Sequence, residues 1–263
     1  MEYLYLYPDL STKIFHPEEI VEYLKTKLPA TKISLREDFF VHWLGLDKEK
    51  YNFTAKNLAS CRIADLNSKS EKVSKTEPLP IEIEYEKNNL ANPKERKIGI
   101  LYDGFCFQNI YREIMTPHEL RARQCHIIFT NQLIATYEES DARYHLRTSV
   151  YGVPNLISTS GIVEAPAKPK EYYLMKGLSE IVLAEWKEKN KERFIDYDDP
   201  RLTEVAKGYV MQAIFYYLIG EPFCKNKSCR LYNAHWQEEM IKAQLNKKKE
   251  FCASHQKILD SFV

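Results

Sequence analysis

Long apolar runs are missing from this chain. The longest, residues 210–220, is broken by Gln212 and falls short of the ~18 residues that a bilayer span requires. No membrane partner is expected. The start, Met1-Glu2-Tyr3-Leu4-Tyr5, lacks a basic stretch followed by an apolar one, so no export signal is expected and a cytoplasmic location is. An excess of one charge sign is lacking too. Lys and Arg total 38 against 37 Asp and Glu, a formal net charge of +1. That gives no support for a general electrostatic grip on nucleic acid, and the lysines at 247–249 read as a solvated turn. There is no internal repeat, no Gly-x-Ser-x-Gly turn, no phosphate loop and no dinucleotide fingerprint.

What is present is an ordinary globular composition. The chain has 263 residues, 44% hydrophobic and 29% charged, enough for one large domain or two small ones. Residues 2–7 read as a strand. Residues 17–28 read as an amphipathic helix with Pro17 in its first turn, acidic Glu18 and Glu19 near its start, and Ile20, Val21, Leu24 and Leu28 on one face. Residues 32–40 read as a second strand and 53–63 as a helix. Residues 67–77 read as a linker, 81–86 as an alternating strand and 87–97 as a loop. A strand at 98–102 precedes a turn at Asp103-Gly104 and a helix to about Met115. Strands follow at 125–130, 143–151 and 156–160, then a helix over 171–189. Residues 202–219 form a helix that is apolar nearly all round and therefore central and buried. The fold class is α+β. The expected division is a small N-terminal α/β unit over 1–95, then a domain over 96–263 with a mixed twisted sheet, a central helix and a clamped tail.

The chain has six cysteines, and in a cytosolic protein these are poor candidates for disulfides. Cys61, Cys106 and Cys125 lie in apolar surroundings and read as small buried hydrophobes. The others crowd into Cys224-x4-Cys229-x22-Cys252-x2-His255. Zinc favours four thiolate or imidazole ligands in a tetrahedron, and two close pairs joined by a longer span provide them. A helix over 236–245 would return the chain to the site. The alternative is a set of unligated thiols, but the loop Lys225-Asn226-Lys227-Ser228 is too polar to bury Cys224 and Cys229 as plain hydrophobes. One structural zinc ion is therefore expected on Cys224, Cys229, Cys252 and His255.

Residues 202–229 followed by Cys252 resemble the end of an archaemetzincin, a zinc metallopeptidase of the metzincin group. That family carries HExxHxxGxxH, then Cys-x4-Cys-x-Met, then Cys-x-x-Cys about twenty residues later. Here Phe223-Cys224-Lys225-Asn226-Lys227-Ser228-Cys229-Arg230-Leu231 overlays the middle of that motif. The resemblance implies a structural zinc on the Cys224 set, with His255 replacing the last cysteine. It also implies that the three catalytic ligands fall at Ala213, Tyr217 and Phe223, the general base at Ile214, the turn glycine at Gly220 and the methionine at Leu231. Residues 126–130 and 150–162 are similar to the strands preceding the peptidase helix, so the likeness covers about 98–263. The whole chain is also similar to an uncharacterised archaeal family with a metallopeptidase domain, through residues 143–145, 157–168, 195–202 and 229–240. Alanine, isoleucine and phenylalanine neither ligate zinc nor accept a proton. A scaffold that has lost catalysis and binds a protein or small ligand is therefore expected.

Other clusters offer alternatives. Arg143, His145 and Arg147 alternate on one strand and could receive a carboxylate or phosphate, aided by Ser158, Thr159, Ser160 and Gly161; pairing with Glu138, Glu139 or Asp141 is the simpler account. A hydrolase built there would add Glu164 or Asp198. Asp196, Asp198 and Asp199 suit a hard cation or the start of the next helix. His235 with Glu239 could hold a second metal, or form an exposed polar face. His118 and His126 each lack a second histidine at helical spacing.

Overall fold

The computed structural model describes residues 1–45, 47–66, 77–246 and 249–262. Two compact units emerge: Met1–Lys13 with Thr31–Gly161, and Ile14–Ala30 with Ile162–Val263. The expected boundary near residue 95 does not coincide with this division. Among the described residues no helix is long and apolar enough to cross a membrane.

β1 (Tyr3–Tyr7) opens the first unit, and α1 (Pro17–Lys27) belongs to the second. β2 (Lys32–Leu35) is shorter than the expected strand over 32–40, because Asp38 caps a helix, α2 (Phe39–Leu44). The Asp38 carboxylate accepts from the N–H groups of Phe40 and Val41, two donors a helix start leaves open. It also pairs with buried Arg96 at 3.0 Å, so one acid stops the strand, starts the helix and neutralises a cation.

α3 (Lys48–Ser60) is followed by α4 (Pro80–Ala91). The strand expected over 81–86 is helix instead. Ile81 is 72% exposed, so its alternation with Ile83 and Tyr85 marks no buried sheet face. Pro80 sits in the first turn and the Glu82 carboxylate accepts from the Leu79 N–H at 2.8 Å. Buried Glu86 then docks the helix, accepting from Arg62 Nε at 2.9 Å and Tyr102 Oη at 2.8 Å. The helix runs on to Ala91, into the expected loop over 87–97, and a single 3-10 turn follows at Pro93–Glu95.

β3 (Leu101–Asp103) leads into α5 (Gly104–Ile114), β4 (Gln124–Thr130), β5 (Leu133–Glu138), β6 (Arg143–Arg147), β7 (Ser149–Val150) and β8 (Asn155–Ser158). β5 was not anticipated. One sheet has the order β2-β1-β4-β8-β7, parallel except for β7; the other, β3-β5-β6, pairs β3 with β5 in parallel and β5 with β6 antiparallel. Both the mixed sheets and the helices fit the α+β class. Tyr7, Phe39, Phe40, Tyr102, Phe107 and Tyr111 fill the core of this unit.

The chain leaves the first unit within α6 (Thr159–Glu164), so the strand expected to 160 ends at Ser158. α7 (Lys170–Leu178) and α8 (Glu180–Asn190) replace the single helix expected over 171–189. Ser179 breaks it by capping α8, its hydroxyl accepting from the Val182 N–H. α9 (Leu202–Ile219) has the expected bounds and is buried along most of its length. It stops at Gly220, which takes the left-handed conformation (φ 74°) that glycine adopts without strain. α10 (Gln237–Gln244) and α11 (Ala253–Asp260) complete the second unit. Residues 67–76 of the expected linker and Lys247-Lys248 of the expected lysine turn lie outside the described residues.

Cysteine usage departs from expectation. Cys125 is free and buried, but Cys61 and Cys106 form a disulfide. Cys61 closes α3 and Cys106 lies in the first turn of α5; the bridge between Arg62 and Tyr102 brings them together. With a separation of 45 residues, chain-entropy arguments assign the crosslink about 4 kcal/mol. The Cys61→Ser/Cys106→Ser double variant is predicted to melt roughly 10 °C lower. Equal melting temperatures, with both thiols free in unreduced protein, would contradict the bond.

Candidate metal centre

After Gly220 the chain turns back on itself. The Cys224 N–H donates to Leu231 O at 2.8 Å, and Cys224 pairs with Tyr232 as a short parallel bridge. Between them the polar loop folds tightly. Asn226 N–H donates to Cys224 Sγ at 3.3 Å, Cys229 N–H to Asn226 O at 3.0 Å, and Ser228 N–H to the Asn226 side chain at 2.9 Å. Asparagine is thus the residue on which the loop closes, which is why so polar a segment keeps one geometry. Downstream, Cys252 is the N-cap of α11 and His255 lies three positions on, so helical spacing sets both on one side of its first turn.

The four sequence-nominated ligands converge. Cys224, Cys229, Cys252 and His255 offer donor atoms that all lie within 4.8 Å of one another. Cys224 Sγ is 3.9 Å from Cys252 Sγ, Cys229 Sγ is 3.9 Å from His255 Nδ1, and Cys252 Sγ is 3.0 Å from the same nitrogen. With metal–sulfur bonds near 2.3 Å and metal–nitrogen bonds near 2.0 Å, a tetrahedron has edges of about 3.6–3.8 Å. The observed edges bracket that value. Among the described residues this is the one group of three or more His, Cys, Asp or Glu side chains close enough to share an ion.

Burial sets the protonation of the four donors differently. Burial pushes the Cys229 thiol up to about 12 and raises the Cys224 thiol as well. Burial acts the same way on Cys252, but the N–H groups of His255 and Ser254 and contacts with Cys224 and Cys229 outweigh it, so its thiol is lowered. Burial also lowers His255, against the charge of Glu221, and leaves a neutral imidazole able to ligate. Three crowded sulfurs gain from ionising together when a divalent ion supplies the charge.

The knuckle is tied to the helices by Arg230. Its backbone N–H donates to Glu250 O at 2.6 Å, and its guanidinium donates to Gln244 O at 2.9 Å and pairs with Glu204 of α9. Gln244 returns the contact, donating to Arg230 O at 3.0 Å. The Gln244 amide packs where a Cβ on residue 208 would be, 1.5 Å from its oxygen, so Gly208 in α9 is what admits it. Leu231 is fully buried. Sequence reasoning did not single out Arg230, Gln244 or Gly208; a lone glycine inside an apolar helix was the available signal.

Other nominated residues are placed less suggestively. Ala213 and Ile214 are fully buried in α9, Tyr217 is half-buried and Phe223 is exposed. Arg143 and His145 both pair with Asp141, at 2.7 and 2.8 Å, and Arg147 donates to Thr136 at 2.7 Å with Glu138 at 4.0 Å. Their heads are taken up by neighbours rather than left for a ligand. The hydroxyls of Ser158, Thr159 and Ser160 donate to the backbone oxygens of Gln132, Thr130 and Asn131. Glu164 pairs with Lys168, Asp196 with Lys187, and Asp199 with Arg201; exposed Asp198 borders a cavity of about 610 Å³. His235 precedes α10 instead of lying on it, while Glu238 and Glu239 pair with Arg193 and Lys227. His118 is exposed, and buried His126 hydrogen-bonds Tyr7 Oη and Glu119 O.

The Cys3His group in this α+β fold could hold a metal ion. The chain belongs to the Probable metallopeptidase family (DUF6775), whose model matches residues 1–262. No curated protein and no solved structure matches it.

Because Cys224 and Cys229 hold their protons at pH 7, metal must displace them. Binding of one divalent ion is predicted to release at least two protons, so affinity rises roughly 100-fold per pH unit near neutrality. Calorimetry in buffers of different ionisation enthalpy counts them; a count of zero would contradict the assignment.

Proposed function

We propose that this chain is a zinc-binding member of its family in which the metal is structural and the peptidase centre has been lost, leaving a scaffold that binds a protein or small ligand. The observation that carries this is the pairing of a convergent Cys3His set with Ala213, Ile214, Tyr217 and Phe223, none of them a histidine or a carboxylate, at the positions where the archaemetzincin resemblance puts the catalytic ligands and base. Cys224, Cys229, Cys252 and His255 would hold the ion. Three sulfurs and one imidazole suit zinc better than the hard cations, which prefer oxygen.

Bound there, zinc supplies a crosslink. Four protein ligands fill a tetrahedron and leave no position for a water to ionise, which separates structural from catalytic zinc. The chain's own residues do the rest: Asn226 holds the loop around Cys224, and Arg230 fastens that loop to α9 and α10. In α9, Ala213 and Ile214 are packed and offer neither a ligand nor a base. Scaffold descent, zinc identity and loss of catalysis stand together as one reading.

Two measurements on the same preparation test it. Elemental analysis should return one zinc per chain, and removing it with a strong chelator should lower the melting temperature by about 10 °C or more, as lost folding energy of several kcal/mol implies. A broad peptide library should show no cleavage at any zinc loading. Zinc-dependent cleavage that vanishes with chelator would refute the reading.

A further inference from the structure

We infer that Cys224 and Cys252 form a peroxide-sensitive modification site, at which oxidation turns two metal ligands into a disulfide and expels the ion. This rests on the zinc reading above. The two residues are 28 apart in sequence, yet their sulfurs stand 3.9 Å from each other. Both are partly open to solvent, whereas Cys229 is fully buried. Elsewhere the chain offers an oxidant little: Cys61 and Cys106 are already joined, and Cys125 is buried. Among its cysteines, therefore, this pair combines a neighbouring sulfur with access from solvent.

The chemistry needs one co-reactant, hydrogen peroxide. A ligand sulfur, held as thiolate by the ion, attacks one peroxide oxygen; the S–O bond forms, the O–O bond breaks, and the departing hydroxide takes a proton to become water. The second thiolate attacks that oxidised sulfur. The S–S bond forms, the S–O bond breaks, and a second hydroxide is protonated. In sum, two thiolates, one peroxide and two protons give one disulfide and two waters, with two electrons passing from sulfur to oxygen. The sulfurs must close from 3.9 Å to about 2.05 Å, a movement that excludes the ion from between them. Cys229 and His255 alone would then offer a bound ion only half the ligands it needs, and would not retain it.

The clamp thereby gains a condition on which it opens. The three sulfurs take distinct parts. Cys224 and Cys252 face the oxidant, and Cys229, under the Arg230 anchor, stays reduced to receive metal again once the disulfide is cleaved.

The test uses the full chain, its zinc content measured first. Peroxide is added in steps with a zinc-sensing dye present, and the product is digested without reduction and mapped by mass spectrometry. One zinc should leave per chain at about one equivalent of peroxide consumed. A new crosslinked peptide should join Cys224 to Cys252, and thiol reductant with added zinc should restore the starting state. A zinc-loaded chain that keeps its metal under peroxide overturns this proposal and leaves the zinc reading standing. So does metal release through a disulfide that includes Cys229. A chain isolated and reconstituted without zinc overturns both. The Cys125→Ser variant, which lies outside the site, should release zinc at the unchanged rate.

Discussion

The second unit is organised around one constraint, that four donor atoms from residues 224 to 255 must meet at a point. Three stretches between those residues serve the closure. The Asn226 loop turns the first pair, α10 carries the chain back, and the N-terminal turn of α11 presents the second pair. Because Arg230 sits beside Cys229 and reaches Glu204 and Gln244, the ligand cluster and the packing of α9 are mechanically one object. Gly208 is part of that object, since the Gln244 amide occupies the space a side chain there would need.

α9 shows the other half of the balance. Apart from Glu204 and Gly208, this apolar helix, buried along most of its length, contributes mainly packing, and it stops at Gly220 just before the cluster. The proposed loss of catalysis follows from this economy of roles. A helix that presents histidines and a glutamate to a cleft must keep one polar face hydrated, and Ala213 and Ile214 instead lie where no water reaches. The six cysteines divide accordingly into a disulfide in the first unit, three candidate ligands in the second, and one inert thiol.

Much of the site was readable in sequence because its signals are local. A polar loop between cysteines, a Cys-x2-His pair and a glycine stop each carry their meaning within a few residues. α9 was readable for a related reason, its apolar composition being too continuous for any other element. The failures were long-range or ambiguous. Ile81, Ile83 and Tyr85 alternate with glutamates, yet Pro80, the Glu82 cap and the buried Glu86 contacts make the segment helical. The Cys61–Cys106 bond depends on where α3 ends relative to α5, which no spacing records. Arg230 looked like any loop arginine until its burial against Glu204 was visible.

X-ray absorption at the zinc edge tests the central claim most directly, because it reports the ligand shell of whatever zinc the protein carries. The account predicts a single class of ion with three sulfurs near 2.3 Å and one imidazole nitrogen near 2.0 Å. A shell dominated by nitrogen and oxygen, or a second class of zinc with an open water position, would contradict it.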